Sequence, residues 1–419
     1  MTESPRKLAY LDTSRYGTDR KAGGTVYDAI VVGGGPSGST AARALARAGY
    51  RTALVERGGR IKPCGGAIPP RAIEDFAIPH SQIKARIHSA RMIAPSGKTV
   101  DMPIDNGYVG MVDREEFDEW LRERAALSGA ERIAATFEGF EDATGAMRTV
   151  VLRRKGEDTE RLRLSARLVI GADGAKSLVA RLALPKQKPT PCVFAYHEIV
   201  ESTGGENGIE RNPDNRCDVY YQGRISPDFY GWVFPHGETT SIGTGTARKG
   251  YGLRKAVSDL RDASGYADAR TIRREGAPIP LKPLKRWDDG RNVLLTGDAA
   301  GVVAPASGEG IYYALECGRM VADAGEKFLK TGNPKCLSAA RREFLGDHGT
   351  VFAILGLLQG VWYRSDWLRE RFVAICKDAD VQRMTWESYM HKKLTRESPL
   401  AHGRILMQNI GHYFGWRTA

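Results

Sequence analysis

Ala29-Ile30-Val31-Val32 runs directly into Gly33-Gly34-Gly35-Pro36-Ser37-Gly38 and then into an alanine-rich stretch ending near Ala48. The four leading residues are wholly apolar and mostly β-branched, the pattern of a strand buried on both faces of a parallel sheet. The alanine-rich stretch reads as a helix, and Thr52-Ala53-Leu54-Val55-Glu56 reads as a second strand. The glycine pattern Gly33-x-Gly35-x-x-Gly38 therefore sits at the turn of a βαβ unit, the context that makes it informative. Gly33 makes the tight turn, Gly35 lets a pyrophosphate approach the backbone, and Gly38 lets helix and strand pack closely. Pro36 and Ser37 open the helix, whose free N–H groups face the phosphates. Glu56 ends the second strand, followed by Arg57. A carboxylate there accepts bonds from a ribose hydroxyl and repels a 2′-phosphate, so the tightly held ligand is expected to be FAD or NAD rather than NADP.

The rest of the chain bounds this reading. Its 419 residues suit two or three domains. The 62 Lys and Arg against 50 Asp and Glu give a formal net charge of +12, which suits acidic partners or a solvated basic surface. No Lys/Arg block is interleaved with aromatics, so no nucleic-acid partner is expected. Cys64, Cys192, Cys217, Cys317, Cys336 and Cys376 include no CxxC pair, and neither a metal site nor a redox dithiol is expected. They suit free thiols in a reducing compartment. The N-terminus has no apolar signal region. The longest apolar run, Val351 to Leu358, is short of the ~20 residues that span a bilayer. A cytoplasmic protein is expected, with peripheral contact to a membrane left open. Oligomeric state is not legible.

Residues 1–26 are polar and aperiodic and read as a disordered tail. Asp113 is placed to cap a helix, with Glu116 completing a capping box. Residues 147–170 alternate as strands, and strands with Gly/Pro turns between about 190 and 275 suggest an antiparallel sheet. Asn292–Thr296 is another buried strand, and a long helix starts near Gly308. The chain from about 335 onward is helical. The expected architecture is α/β (α+β). A discontinuous Rossmann-like domain (27–90, 110–187 and 276–345) carries an inserted antiparallel-sheet substrate domain (91–109 and 188–275). A helical C-terminal region (346–419) follows.

Two further segments complete the cofactor reading. One is Gly171-Ala172-Asp173-Gly174-Ala175-Lys176-Ser177. The other is Leu295-Thr296-Gly297-Asp298-Ala299-Ala300-Gly301, followed by Pro305 and Ser307-Gly308-Glu309-Gly310. In this order, over residues 27 to 345, the three motifs resemble the aromatic-hydroxylase-type FAD flavoproteins. The resemblance implies that Asp173 and Asp298 help to hold FAD, with Asp298 at a ribityl hydroxyl. It places the Gly308–Gly310 turn and its helix N-terminus at the flavin N1 edge, where reduced flavin carries negative charge. It gives Arg114 a cofactor contact. The residues alone also allow Arg114 a plain ion pair with Asp118, one helical turn on.

Lys62-Pro63-Cys64-Gly65-Gly66-Ala67-Ile68-Pro69 and Tyr230-Gly231-Trp232-Val233-Phe234-Pro235 are similar to segments of the geranylgeranyl reductases. Met384 to Met390 resembles the (bacterio)chlorophyll-pathway branch. The resemblance implies a catalytic loop at Cys64, Gly65 and Gly66 beside the flavin, with the Cys64 thiol a proton donor or a space-filler. It implies a lipid wall of Tyr230, Trp232, Phe234 and Pro235. In a strand the three aromatics share one face by the period of two, although an ordinary core strand would look the same. The activity implied is saturation of a geranylgeranyl chain to phytyl, with FAD tightly bound and NADPH as transient reductant. The chain would be carried by a pigment or by a free diphosphate. An aromatic monooxygenase or halogenase uses the same scaffold. A non-catalytic flavin- or pigment-binding scaffold is a further alternative.

Overall fold

The computed structural model describes residues 26–59, 61–105, 107–141, 147–154, 160–202, 213 and 215–392. The tail expected over 1–26 lies outside them, apart from Val26, which opens the first strand.

The opening unit forms as its residues dictate. Strand β1 (Val26–Val32) is followed by helix α1 (Pro36–Arg47) and strand β2 (Thr52–Glu56). Ala29, Ile30 and Val31 are fully buried because the strand is covered on both faces. Pro36 takes the first helical position, where its missing N–H removes no helical bond. The small residues of α1 let it close on helix α6 (Ile311–Thr331). A Cβ at Gly318 would overlap the Ser37 carbonyl.

β1 pairs in parallel with β2 and with β10 (Leu162–Gly171), and β10 pairs in parallel with β16 (Val293–Leu295). β8 (Glu131–Glu141) runs parallel to β2 through Ala134, then turns to pair antiparallel with β9 (Arg148–Arg154). β9 also pairs with β10. Helix α3 (Arg114–Leu127) packs on α1, and Asp113 caps it through the Glu115 N–H. The expected capping box is not completed: the Glu116 carboxylate pairs with Lys84 Nζ, 2.6 Å away.

The second sheet has seven strands in the order β15-β11-β14-β13-β12-β5-β6. Their ranges are β5 (Ser89–Ile93), β6 (Thr99–Pro103), β11 (Cys192–Glu201), β12 (Arg216–Tyr220), β13 (Gly231–Pro235), β14 (Thr239–Thr246) and β15 (Thr271–Pro280). All neighbours are antiparallel except β5 and β12. β5 begins at Ser89, two residues inside the stretch 27–90 expected to belong to the cofactor domain. Helix α5 (Leu253–Ala263), which the turn-rich reading of this region did not anticipate, buries Val257 and Leu260 against β14 and β11. A small sheet of β3 (Ala67–Ile68), β7 (Val109–Met111) and β4 (Ala85–Ile87) joins the two parts, close to helix α2 (Pro70–Asp75). Helix α4 (Leu178–Ala183) follows β10.

Among the described residues the C-terminal part is helical: α7 (Ala339–Trp362), α8 (Asp366–Ile375) and α9 (Ala379–His391), and the rest of the expected helical region, 393–419, lies outside them. α7 buries Phe344, His348 and Phe352 and packs on α6. One finding departs from the sequence reading. The segment Pro334–Trp362 is long and apolar enough to cross a membrane, with a mean hydropathy of 1.3 in a window only 17% buried. The unbroken apolar run is short because Thr350 and Gln359 bound it, yet isolated polar residues leave the helix apolar on average.

Candidate active site

The glycines of the first turn divide by geometry. Gly33 has φ +110°, and a Cβ there would collide with the Ala172 carbonyl. A Cβ at Gly38 would collide with the Gly33 carbonyl. At Gly35 a Cβ would meet nothing within 4 Å. Gly33 and Gly38 are thus required by the fold, whereas Gly35 leaves open space before the N-terminus of α1. That is the cradle a pyrophosphate needs. Gly34 N–H donates to Glu56 Oε2 at 2.6 Å, which draws the carboxylate to this turn. Arg57 is exposed just beyond it.

Both oxygens of Asp173 bond to the start of α4. Ser177 Oγ donates at 2.5 Å, and the N–H groups of Leu178 and Val179 donate at 2.7 and 3.1 Å. Asp173 therefore shapes the turn behind Gly33. Asp298, on the turn after β16, holds an ion pair with Lys62, so residues 236 positions apart meet at one end of the site. Arg114 is buried and grips Asp118 with both arms of its fork, at 2.9 and 2.7 Å. Burial disfavours its charge, but Asp118 and the neighbouring Cys64 outweigh burial and raise its pKa. The ion pair and the position beside the Cys64 loop thus hold together.

Cys64 Sγ accepts from the Gly66 N–H at 3.4 Å, which folds the loop on itself. The Phe234 ring lies against Gly65, where a Cβ would come within 2.7 Å of it. Gly66 has φ +74° and packs on the His236 ring. At the opposite end, Tyr230 donates its hydroxyl to the Ser307 carbonyl at 2.5 Å and lies close to Gly308, whose φ is +65°. Gly310 ends this turn as the N-cap of α6. Between these ends, Trp232 has ring centroids 6.1 Å from Tyr230 and 6.5 Å from Phe234. Val233 faces the other way, into the cluster with Val257 and Leu260. Pro235 closes the strand, paired with Thr240. The Tyr-x-Trp-x-Phe face therefore spans the gap from the Cys64 loop to the Gly308–Gly310 turn.

Residues 26–193 match the family model described as an FAD binding domain. The chain is 56% identical to the geranylgeranyl diphosphate reductase of Rhodobacter capsulatus, over 93% of this chain and 98% of that protein. It is 34% identical to the chloroplastic geranylgeranyl diphosphate reductase of Oryza sativa subsp. japonica, over 97% of this chain and 90% of that one. The chain belongs to the geranylgeranyl reductase family. A solved structure of a geranylgeranyl bacteriochlorophyll reductase-like protein from Thermoplasma acidophilum superposes with a TM-score of 0.77 at 22% identity, over 92% of this chain and all of that one. The reductase is thus an oxidoreductase with an FAD-binding domain, and the monooxygenase or halogenase alternative is not favoured. The open cradle at Gly35 and the acidic groups Glu56 and Asp298 fit FAD.

Sequence reasoning missed several groups that this reductase brings to the site. His197 Nε2 lies 2.5 Å from Glu275, and its Nδ1 shares Ser241 Oγ with the Trp232 indole N–H. Arg273 bridges Asp113 at 2.6 Å and Glu275 at 2.9 Å. The neutral His236 ring donates from Nδ1 to the Phe234 carbonyl at 3.0 Å. Glu309 pairs with Lys392, and both are buried. No local pattern marks these residues, because each acts across sheet or helix contacts. Glu309 alone stood inside a quoted motif.

Burial pushes His236 and His348 down to about 4. Unfolded histidine takes its proton near 6.5. Between those values the unfolded chain binds more protons, so stability is full above pH 6.5 and falls as pH drops toward 4. Each shift corresponds to on the order of 3 kcal/mol. Urea midpoints from pH 7.5 to 4.5 should show this fall, and His348→Phe should remove about half of it. A flat profile would show that both rings accept protons without cost.

Proposed function

We propose that this protein uses NADPH to reduce bound FAD and saturates the isolated double bonds of a geranylgeranyl chain, giving phytyl, in (bacterio)chlorophyll biosynthesis. The single observation that carries this reading is the aromatic face of Tyr230, Trp232 and Phe234, stretched between the Cys64 loop and the flavin-edge turn. A polyprenyl chain has no polar group for a site to grip, so a long apolar wall must align it. When bound, FAD supplies the hydride for the alkene. The aromatic faces then stabilise positive charge building on the alkene as it is protonated. Cys64, with Arg114 beside it, is the proposed proton donor at one end of the wall, and Gly65 and Gly66 allow close approach there.

The test separates the two half-reactions. Trp232→Ala should lower kcat/KM for the prenyl substrate about tenfold, the worth of one lost aromatic contact. Reduction of the flavin by NADPH in a stopped-flow instrument should barely change. Removing a buried tryptophan also costs about 3–5 kcal/mol of stability, so folding and FAD content are checked first. Equal losses in both half-reactions would mean that the strand supports the flavin and not the lipid. Anaerobic incubation with geranylgeranyl substrates should show gains of two, four and six hydrogens by mass.

Peripheral membrane contact belongs to the same proposal. Ile354, Leu357 and Leu358 on the outer side of α7 are 41%, 67% and 37% exposed, and Trp367 nearby is 50% exposed. An apolar helix face, with an exposed tryptophan on the following helix α8, suits the acyl boundary of a bilayer, and the net positive charge suits anionic headgroups. The protein should float with anionic liposomes, and Leu357→Glu with Leu358→Glu should release it. Wild-type protein that stays with the soluble fraction would count against this contact.

A further inference from the structure

Beside the Cys64 loop lies a small cavity of about 10 Å³, room for about one water molecule. Cys64, Arg114 and His236 line it, as do Asp113, Arg273 and Thr239, the first residue of β14. His236 lies directly against the loop. Gly66 donates its N–H to the Cys64 sulfur at 3.4 Å, and a Cβ on that glycine would come within 2.5 Å of His236 Nε2.

The backbone sets the state of His236. Its Nδ1 donates to the Phe234 carbonyl at 3.0 Å, and burial keeps the ring neutral by pushing it down to about 4. Nε2 therefore carries a lone pair, and among the described residues it has no hydrogen-bond partner. His197, which also lines the cavity, has both nitrogens engaged, by Glu275 and by Ser241. On another side the cavity reaches toward bulk water. Arg273 pairs with Asp113 at 2.6 Å and with Glu115 at 3.0 Å. Arg273 and Asp113 are half-buried, and Glu115 is exposed.

We infer that this cavity is the proton inlet for Cys64, with His236 positioning a water that returns a proton to the sulfur after each double bond is saturated. The inference rests on the proposed role of Cys64 as proton donor and deepens it. In each round the Cys64 S–H bond breaks as a C–H bond forms at one alkene carbon, and hydride goes to the other carbon. A water O–H bond then breaks as the S–H bond re-forms, and bulk water on the Arg273 side makes good that proton. Nε2 accepts one hydrogen of the water and so leaves the other for the sulfur. A prenyl chain displaces water from the aromatic wall, so the proton needs a route that the chain does not fill. The first saturation uses the proton already on the sulfur, whereas the later ones need a new proton.

The test follows the successive hydrogen gains by rapid quench and mass spectrometry in the FAD-loaded protein. His236→Phe removes the acceptor, His236→Gln restores one, and Thr239→Leu fills the cavity while leaving Cys64 and His236 in place. Circular dichroism and FAD content are matched first, and Thr239→Leu carries the test if His236→Phe does not fold. In His236→Phe and Thr239→Leu the first gain of two hydrogens should keep its wild-type rate. The gains of four and six should form about a hundredfold more slowly, the lower end of what positioned proton transfer contributes. His236→Gln should recover most of that rate. A second readout needs no turnover: exchange of the Cys64 S–H for S–D, read by infrared against Cys64→Ser, in oxidised holoenzyme with phytol bound. It should slow in the same two variants. Equal slowing of all three gains, or unchanged thiol exchange, would overturn the inlet. Full reduction by Cys64→Ser would defeat the donor role of Cys64, and slowed thiol exchange would still leave the inlet standing.

Discussion

Replacing Gly35 with valine is expected to strip the protein of FAD while leaving the fold intact. A side chain at Gly35 meets no protein atom within 4 Å. It would fill the space before α1, where the pyrophosphate must approach the backbone. The purified variant should be colourless, with wild-type circular dichroism and an unfolding transition equal to that of the apoprotein. Gly38→Val is the control. Its side chain would strike the Gly33 carbonyl and the Ala172 methyl, so it should lose soluble folded protein as well as colour. Full FAD occupancy in Gly35→Val would sink the site assignment. Misfolding of Gly35→Val to the same degree as Gly38→Val would show that the open space is filled by something the fold needs.

The second large effect concerns Lys392. Its ammonium is buried against Glu309 and lies 3.9 Å from the Tyr389 ring centroid. Burial drives both partners toward neutrality, raising Glu309 and lowering Lys392, and each opposes this in the other. Lys392→Met leaves a buried carboxylate without its counter-charge and should cost about 3–5 kcal/mol. Glu309 lies in the turn between Gly308 and Gly310, so FAD retention should weaken along with stability. Without Lys392 the folded pKa of Glu309 rises further. The folded state then binds the extra proton, and the deficit grows as pH rises above the ordinary carboxylate range. Urea midpoints at pH 5 and pH 8 should show the larger loss at pH 8. Adding Glu309→Leu to Lys392→Met should restore most of the stability, because an apolar pair of similar size replaces the ion pair. A loss below about 1 kcal/mol would mean that the pair contributes little as a charge pair.

The sequence by itself determined the dinucleotide half of this protein. The β1–α1–β2 unit was legible because its signals are local. They are an apolar run, glycines whose spacing the chain geometry demands, and an alanine-rich helix. The aromatic face of β13 was legible too, because side chains in a strand alternate, and Val233 indeed points away from Trp232. The tertiary structure decided what meets that face. Phe234 covers Gly65 and Tyr230 bonds to Ser307 because β13 is placed between two loops, with 234 − 65 = 169 and 307 − 230 = 77 residues separating the partners in the chain. It also decided that Asp173 accepts from the first N–H groups of α4 rather than standing free, that Asp298 is paired with Lys62, and that Lys392, just past the end of α9, neutralises Glu309. Such pairings leave no trace in a local pattern. An isolated lysine or glutamate reads as solvated surface, and only burial, which the whole fold sets, turns it into a group that must find a partner.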